Sequence, residues 1–302
     1  MNRIELIEKE IREQAHSLRE FYEKIKELYF SMLNASEVIV TGCGDSYAAS
    51  LMLNELVGVR AEDPYELSLK EIHNPLVIVS VSGKTIANIN LAEKAKKKGL
   101  KIYVITGNPE SKLAKLADYL IDIEYKEPIV LPGTLSFTKS LIALYVTFGL
   151  NVDFSKINEK LIEKAFEEFE EAKGESFFII SSPSYFPLSI YWKAKLIEMI
   201  GSKVIVERCE QFMHMDLFAL SENDSVLILG IEDRRCRLLY DKIKNYITYC
   251  KYEVFGEKNP TNFLIGSIYG QVLAYSLLKK RNLKDVHFSI SRLLKVSDEL
   301  IY

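Results

Sequence analysis

The chain has 302 residues, enough for one large or two medium domains, and its 48% hydrophobic and 27% charged residues are typical of a globular protein. A net charge of −3 does not predict a nucleic-acid surface, and no apolar run reaches the roughly 20 residues that a membrane helix needs. The four cysteines have no CxxC spacing and the N-terminus is a charged helical pattern rather than an export signal. We therefore expect a cytoplasmic protein with reduced thiols and without nucleic-acid or membrane partners.

The first half of the sequence alternates helices with strands. Residues 2–33 have the apolar spacing of one or two amphipathic helices. Beyond them the predicted strands are 38–40, 58–61, 76–80, 101–106 and 119–123, and the predicted helices are 47–56, 86–98, 111–117 and 140–149. Because the strands are continuous apolar runs at βαβ spacing, they predict a parallel sheet covered on both faces.

The second half repeats this plan, with an offset of about 140 residues. Its predicted strands are 177–181, 203–206, 225–230 and 251–255, and its predicted helices end near residues 200, 247 and 280. A charged helix over 159–173 would link the two halves. We therefore predict a helical segment 1–34, a first domain 35–155 and a second domain 156–302.

Hydroxyl side chains follow two predicted strands of the first half. Ser46 comes after the first strand, and Ser80, Ser82 and Thr85 follow the third, with Gly83 among them. In open parallel sheets, ligands bind beyond the carboxyl ends of the strands, where helix N-termini favour anions. The pattern therefore predicts a phosphate site in the first half.

Two alternatives compete with this interpretation. Serine and threonine at these positions are also ordinary N-caps of helices. A dinucleotide site is disfavoured, because the third glycine of its GxGxxG pattern falls on the bulky Tyr47. The second half carries Pro183 and the acidic Glu232-Asp233 in the corresponding loops, and acidic groups repel a phosphate.

The motifs together resemble the sugar-isomerase (SIS) domain family. They are Thr41-Gly-Cys-Gly-Asp-Ser-Tyr47, Ser80-Val-Ser-Gly-Lys-Thr85 and Thr138-Lys-Ser140. The family includes the isomerase half of glutamine–fructose-6-phosphate aminotransferase and stand-alone glucosamine-6-phosphate deaminases. The resemblance covers about residues 35–300 and implies an α/β fold of two tandem SIS-type three-layer αβα domains, each with a mainly parallel sheet. It does not extend to a glutaminase domain.

The resemblance also implies site residues. The phosphosugar-binding set would be Cys43, Gly44, Ser46, Ser80, Ser82 and Thr85. The catalytic set would be Glu198 as acid/base, Lys195 as a charge near the reacting oxygen, His214 for ring opening and Lys295 near the sugar carbonyl. The remaining histidines form no ligand cluster, so we expect neither a metal nor another cofactor.

Ordinary explanations exist for each catalytic candidate. Glu198 and Lys195 have the spacing of a surface ion pair, and His214 lies among apolar residues as a core or interface histidine would. Lys295 lies near the C-terminus, where a plain solvated lysine is common. Departures from the family pattern include Asp45, Val81 and Lys84, and they bear on the substrate.

We expect a homodimeric enzyme that acts on an amino-sugar or ketose 6-phosphate, such as glucosamine 6-phosphate converted to fructose 6-phosphate and ammonia, or a plain aldose–ketose isomerase. The alternative is a non-catalytic phosphosugar sensor. Residues 1–33 contain no evident helix-turn-helix of the kind such sensors carry, which favours the enzyme.

Overall fold

A computed structural model describes residues 2–28, 33–126 and 129–302. The elements of the first half are, in chain order, α1 (Arg3–Leu28), β1 (Ile39–Gly42), α2 (Asp45–Val57), β2 (Arg60–Glu62), α3 (Pro64–Ser68), β3 (Leu76–Val79), α4 (Ile86–Lys97), β4 (Ile102–Thr106), β5 (Tyr119–Asp122) and α5 (Leu135–Thr147). The N-terminal segment is thus one helix up to Leu28, and the predicted continuation over residues 29–32 lies outside the described residues.

The second half contains α6 (Glu159–Glu168), β6 (Ser176–Ser181), α7 (Phe186–Ile200), β7 (Lys203–Arg208), α8 (Cys209–His214), β8 (Ser225–Gly230), α9 (Arg234–Ile243), β9 (Tyr249–Val254), α10 (Pro260–Lys280), α11 (His287–Ile290) and α12 (Leu294–Ile301). Some boundaries differ from the prediction. Helix α10 begins four residues before the predicted 264, because the Asn259 side chain accepts from the Asn262 amide and Pro260 suits the first helical position. The helix predicted over 111–117 is reduced to a 3₁₀ turn at Ala114–Leu116.

The strands form two parallel sheets. The first has the order β2-β1-β3-β4-β5 and the second the order β7-β6-β8-β9. Every pairing in both sheets is parallel. The predicted α/β class with parallel sheets is confirmed.

Each sheet is packed against helices. On one face of the first sheet, Ile39, Ile78 and Val104 pack with residues of α3 and α4 into one buried cluster. Helix α2 contacts β1 and α5 contacts β4. In the second sheet, Phe178 and Ile228 form a buried cluster with α8 and α9, while α7 contacts β6 and β7.

By internal contacts the chain divides into two compact units, and each unit holds one sheet. The first-sheet unit comprises residues 13–154 and 292–302. The second-sheet unit comprises residues up to 12 and 155–291. None of the helices in the described ranges contains an 18-residue stretch apolar enough to cross a membrane.

Helices α7 and α10 approach each other closely through glycine. A Cβ at Gly270 would lie 2.4 Å from Cδ1 of Trp192, and one at Gly266 would lie 2.4 Å from Cδ2 of Leu188. Trp192 is fully buried and its indole N–H donates to the Gly266 carbonyl over 2.8 Å. The absence of side chains on α10 therefore makes room for the largest buried side chain of this unit.

The substitution Gly270→Ala should lower the free energy of unfolding by about 1–3 kcal/mol, because the added methyl group forces Trp192 to move in a packed core. Urea unfolding followed by tryptophan fluorescence measures this. Ser276→Ala, on the same helix and half-buried, is the matched control and should change stability by less than about 0.5 kcal/mol. Wild-type stability of Gly270→Ala would contradict the close helix packing.

Candidate functional site

The carboxyl ends of β1 and β3 lie where the strand order of the first sheet reverses. From β1 the chain passes to β2 on one side, whereas β3 lies on the other side of β1. The two strands pair with Gly42 opposite Val79, so both end at the same level. A crevice opens at such a reversal because the connections leave it in opposite directions.

Gly42 brings the two strand ends and helix α2 together. A Cβ at this position would lie 2.6 Å from the Cβ of Ser46 and 2.9 Å from the carbonyl oxygen of Val79. No other residue type leaves room for this approach. As a result Ser46, only 9% exposed, sits beside the end of β3.

The loop from Ser80 to Thr85 is fixed by backbone hydrogen bonds. The Ser80 amide donates to the Ile105 carbonyl over 2.9 Å, and the Gly83 amide donates to the Ser80 carbonyl over 3.1 Å. Gly83 has φ +62°, and a Cβ there would lie 2.1 Å from Oγ of Ser111. Both the left-handed backbone and the lack of space require glycine at this point.

The turn after β4 supports this loop, and the sequence interpretation did not identify its role. The Thr106 hydroxyl donates to the Val81 carbonyl over 3.2 Å, and the Gly107 amide donates to the same oxygen over 3.0 Å. The Asn108 amide side chain donates to the Ser82 carbonyl over 3.2 Å. The only signal in the sequence was the turn Gly107-Asn108-Pro109 itself, which does not reveal its partner.

N-capping does not explain the hydroxyl of Thr85. Thr85 is the N-cap residue of α4 but makes no side-chain capping hydrogen bond, and Gly44 at the start of α2 has no side chain to make one. Elsewhere Asp63, Asn158 and Asp233 cap their helices with side-chain oxygens. Neither N-cap residue therefore caps its helix through a side chain, a condition that an anion site at these N-termini requires.

Cys43 borders the crevice as a neutral thiol. Burial, and to a lesser extent the nearby carboxylate of Asp63, raise the pKa of Cys43 to about 11. The thiolate is the nucleophilic form of cysteine, so this group is suited to contact rather than to covalent chemistry at neutral pH. Gly44, the next residue, is exposed at the loop tip with φ +57°.

At the corresponding point of the second sheet, groups of the protein itself form hydrogen bonds beyond the strand ends. Its strand order reverses between β6 and β8. There the Ile231 amide donates to Oγ of Ser182 over 3.2 Å, and a Cβ at Gly230 would lie 2.0 Å from the same oxygen. The Tyr252 hydroxyl donates to the Ile231 carbonyl over 2.7 Å. A serine hydroxyl of the protein itself thus lies between the ends of β6 and β8.

Lys195 and Glu198 form an ion pair on α7 of the second-sheet unit. The Lys195 side chain is fully buried, with its Nζ 5.3 Å from the centre of the Tyr191 ring, while the Glu198 side chain is 32% exposed. A solvated surface pair is therefore not the explanation for these two residues. The carboxylate is the partner that solvent can reach.

His214 lies at the end of α8 and is exposed. Its Nε2 is 3.3 Å from Oε1 of Glu210, and Arg235 donates two hydrogen bonds to the same carboxylate. Arg235, and to a lesser extent His214, hold the pKa of Glu210 below its usual value. With a side chain 70% exposed, His214 is not a core histidine.

Lys295 lies on α12, which belongs to the first-sheet unit with the hydroxyl loops. Its side chain is 89% exposed, and its ammonium is 3.9 Å from the Glu299 carboxylate. In the described parts of the chain no cluster of histidine, cysteine and carboxylate side chains could hold a metal ion.

One segment of the chain matches a known family. Residues 31–150 match the family model of the SIS domain, which confirms the resemblance seen in the motifs. The matched segment contains both hydroxyl loops and the strands that carry them.

Curated relatives are glutamine–fructose-6-phosphate aminotransferases. The chain is 27% identical to that of Sulfolobus acidocaldarius over 148 residues, which are 47% of this chain and 25% of the relative. It is 31% identical to that of Sulfurisphaera tokodaii over 163 residues, 51% of this chain and 27% of the relative. The chain thus spans less than a third of the length of the relatives it matches.

Solved structures share the fold over nearly the whole chain. Glucosamine-6-phosphate deaminase from Thermotoga maritima has a TM-score of 0.75 and 18% identity, with 91% of this chain and 94% of that chain covered. The C-terminal domain of glucosamine-fructose-6-phosphate aminotransferase from Francisella tularensis has a TM-score of 0.70 and 15% identity, with 93% and 97% covered.

Cys43 should react slowly with iodoacetamide at pH 7, because a pKa raised to about 11 leaves very little thiolate. The rate should rise about tenfold per pH unit from pH 7 to 10. A variant with serine at positions 209, 236 and 250 isolates Cys43 for mass spectrometry. A rate at pH 7 equal to that of glutathione would contradict the burial of this thiol.

Proposed function

We propose that the chain is a phosphosugar isomerase or deaminase that binds the phosphate of its substrate at the carboxyl ends of β1 and β3. The observation that carries this proposal is the close approach at Gly42 of Ser46 and Val79, the residue directly before the Ser80–Thr85 loop. Ser46, Ser80, Ser82 and Thr85 would donate hydrogen bonds to the phosphate oxygens. Hydrogen bonds to a charged acceptor are about twice as strong as neutral ones, so several hydroxyls suffice to hold a dianion.

The surroundings of the loop favour an anion. Helix α4 has twelve residues and directs the positive end of its dipole at the loop. Lys84 is exposed at the same point and adds a positive charge. Asp45 is the exception, an acidic residue in the first turn of α2. Because the carboxylate of Asp45 would repel the phosphate, we infer that this side chain faces the sugar instead.

The reaction we propose is the conversion of an amino-sugar or ketose 6-phosphate, with glucosamine 6-phosphate as the leading candidate. Transfer of a proton from C2 to C1, with a second proton passing from the amine nitrogen to O1, would convert the open-chain amino aldose into a C2 imine with a C1 hydroxyl. Addition of water to C2 then releases ammonia and leaves fructose 6-phosphate. Without the amino group, the same proton transfer is a plain aldose–ketose isomerisation.

The proposed catalytic roles follow the chemistry of each side chain. Glu198 would carry the proton between the two carbons, for which a partly exposed carboxylate is suited. Lys195 would hold that carboxylate and stabilise negative charge on the reacting oxygen. His214 would open the sugar ring, and Lys295 would meet the carbonyl.

Similarity to known proteins supports this function at the level of the family and the fold. The SIS domain match covers the proposed phosphate site, and solved structures with this fold include a glucosamine-6-phosphate deaminase. We further propose that both halves are SIS-type three-layer domains and that the protein acts in the cytoplasm as a homodimer. Exposed Met215 and Phe218 next to His214 offer apolar area for such an association.

Turnover assays test the function directly. The protein is incubated with glucosamine 6-phosphate, with fructose 6-phosphate plus ammonia, and with glucose 6-phosphate, and both ammonia and hexose phosphates are measured. We expect turnover of at least one of them. Tight binding of a sugar phosphate without turnover of any would instead support the phosphosugar sensor.

The substitution Glu198→Gln should leave sugar-phosphate binding within about twofold and lower kcat by roughly 10²–10⁴, because the amide cannot accept a proton. Calorimetry and the same turnover assay measure the two effects. Glu159→Gln, at the exposed start of α6, is the matched control and should retain wild-type kcat. An unchanged kcat in Glu198→Gln would remove Glu198 from the mechanism.

The substitution Ser82→Ala should weaken binding of the substrate and of inorganic phosphate by roughly 10-fold, the effect of one lost hydrogen bond to a charged group. Ser184→Ala, in the loop after β6 of the second sheet, is the control and should bind as the wild type does. Equal affinities of the two variants would place the phosphate elsewhere.

A further inference from the structure

We propose that Asn88 is a further ligand-binding residue, whose side-chain amide donates a hydrogen bond to the bound phosphate between the two loops. The proposal rests on the phosphate site proposed above and adds a residue to it. Asn88 lies outside the motifs that carry the family resemblance.

The position of Asn88 on α4 directs it toward the site. It is the third residue of the helix after the N-cap Thr85. Side chains at this position can reach back to the start of the helix, as the glutamate of a capping box does. Asn88 therefore lies one turn behind the uncapped N-terminus of α4.

Its amide nitrogen is buried without an acceptor. Asn88 is 1% exposed, and in the part of the chain that the structure describes its Nδ2 has no hydrogen-bond partner. Buried polar groups in folded proteins are almost always paired, because an unpaired donor loses its hydration without compensation. An unsatisfied donor beside a predicted ligand site is therefore expected to find its acceptor in the ligand.

Contact with Cys43 shows which way the side chain points. The Cys43 thiol lies 3.9 Å from Oδ1 of Asn88, a long hydrogen bond in which the sulfur is the donor. Cys43 directly follows β1, whereas Asn88 follows β3 through α4. The amide thus extends from one loop to the other, with its oxygen held by Cys43 and its nitrogen left to donate.

A neutral amide donor suits a phosphate oxygen in this place. It adds a hydrogen bond without another buried charge, and a buried charge would carry a large desolvation cost. The competing explanation is a purely structural one, in which Asn88 only holds the Cys43 loop. The two differ in which atom of the amide matters, the nitrogen or the oxygen.

Calorimetry distinguishes the ligand-binding role of Asn88 from the purely structural one. It measures the binding of inorganic phosphate and of fructose 6-phosphate by the full chain. Asn88→Asp keeps an oxygen for Cys43 but replaces the donor by a negative charge, whereas Asn88→Ala removes both atoms. If the amide donates to phosphate, Asn88→Asp should weaken binding of both ligands by more than 10-fold and more than Asn88→Ala does. A structural role predicts the reverse order, with Asn88→Asp close to the wild type.

Asn90→Asp is the matched control, since Asn90 is exposed on the same helix and the variant adds the same charge. It should bind phosphate within about twofold of the wild type. Thermal unfolding checks that each variant is folded. If Asn88→Asp does not fold, Asn88→Ser decides, because its hydroxyl can donate: binding tighter than that of Asn88→Ala is expected, and equal affinity overturns the proposal.

Wild-type protein that binds neither ligand would overturn the phosphate site and this proposal together. Wild-type binding with an unaffected Asn88→Asp would overturn only the role of Asn88.

Discussion

The close approach at Gly42 is the constraint on which the candidate site depends. Strand β1 pairs with β3 through Gly42 and Val79, and α2 starts so near that only a hydrogen atom fits between. Any side chain at Gly42 would separate Ser46 from the end of β3. The hydroxyls that we assign to phosphate binding come from distant parts of the sequence, and parallel pairing together with this one missing side chain brings the segments that carry them to the same end of the sheet.

A second consequence concerns the two sheets. Both reverse their strand order at a central strand, so both could offer a crevice. In the second sheet the Ser182 hydroxyl lies against Gly230 and accepts from the Ile231 amide, so it joins the ends of two strands. In the first sheet the Ser82 hydroxyl accepts from the Lys84 amide over 3.3 Å within its own loop, and Thr85 makes no side-chain cap. The two sheets share their topology and differ in where these hydroxyls form hydrogen bonds.

The sequence predicted the strands, their parallel arrangement and the hydroxyl loops, because each of these depends on local patterns of apolar and small residues. It did not predict that Thr106 and Asn108 support the loop at Val81 and Ser82, since those contacts join segments about 25 residues apart. Nor could it identify Asn88. In the sequence this is one more polar residue of a helix, and only the packed structure shows that its nitrogen has no partner among the residues described.

Nor could a sequence pattern reveal that Lys195 is buried. Its burial raises the question of why the second-sheet unit keeps the Lys195–Glu198 ion pair. An ammonium without solvent exposure loses its hydration, and the attraction to Glu198 offsets part of that cost. A well-packed apolar side chain would be at least as stabilising at this position. In the proposed function, this buried positive charge would hold Glu198 in one orientation for proton transfer at a sugar carbon. The cost of burying the charge is the feature of Lys195 that its proposed catalytic role would account for.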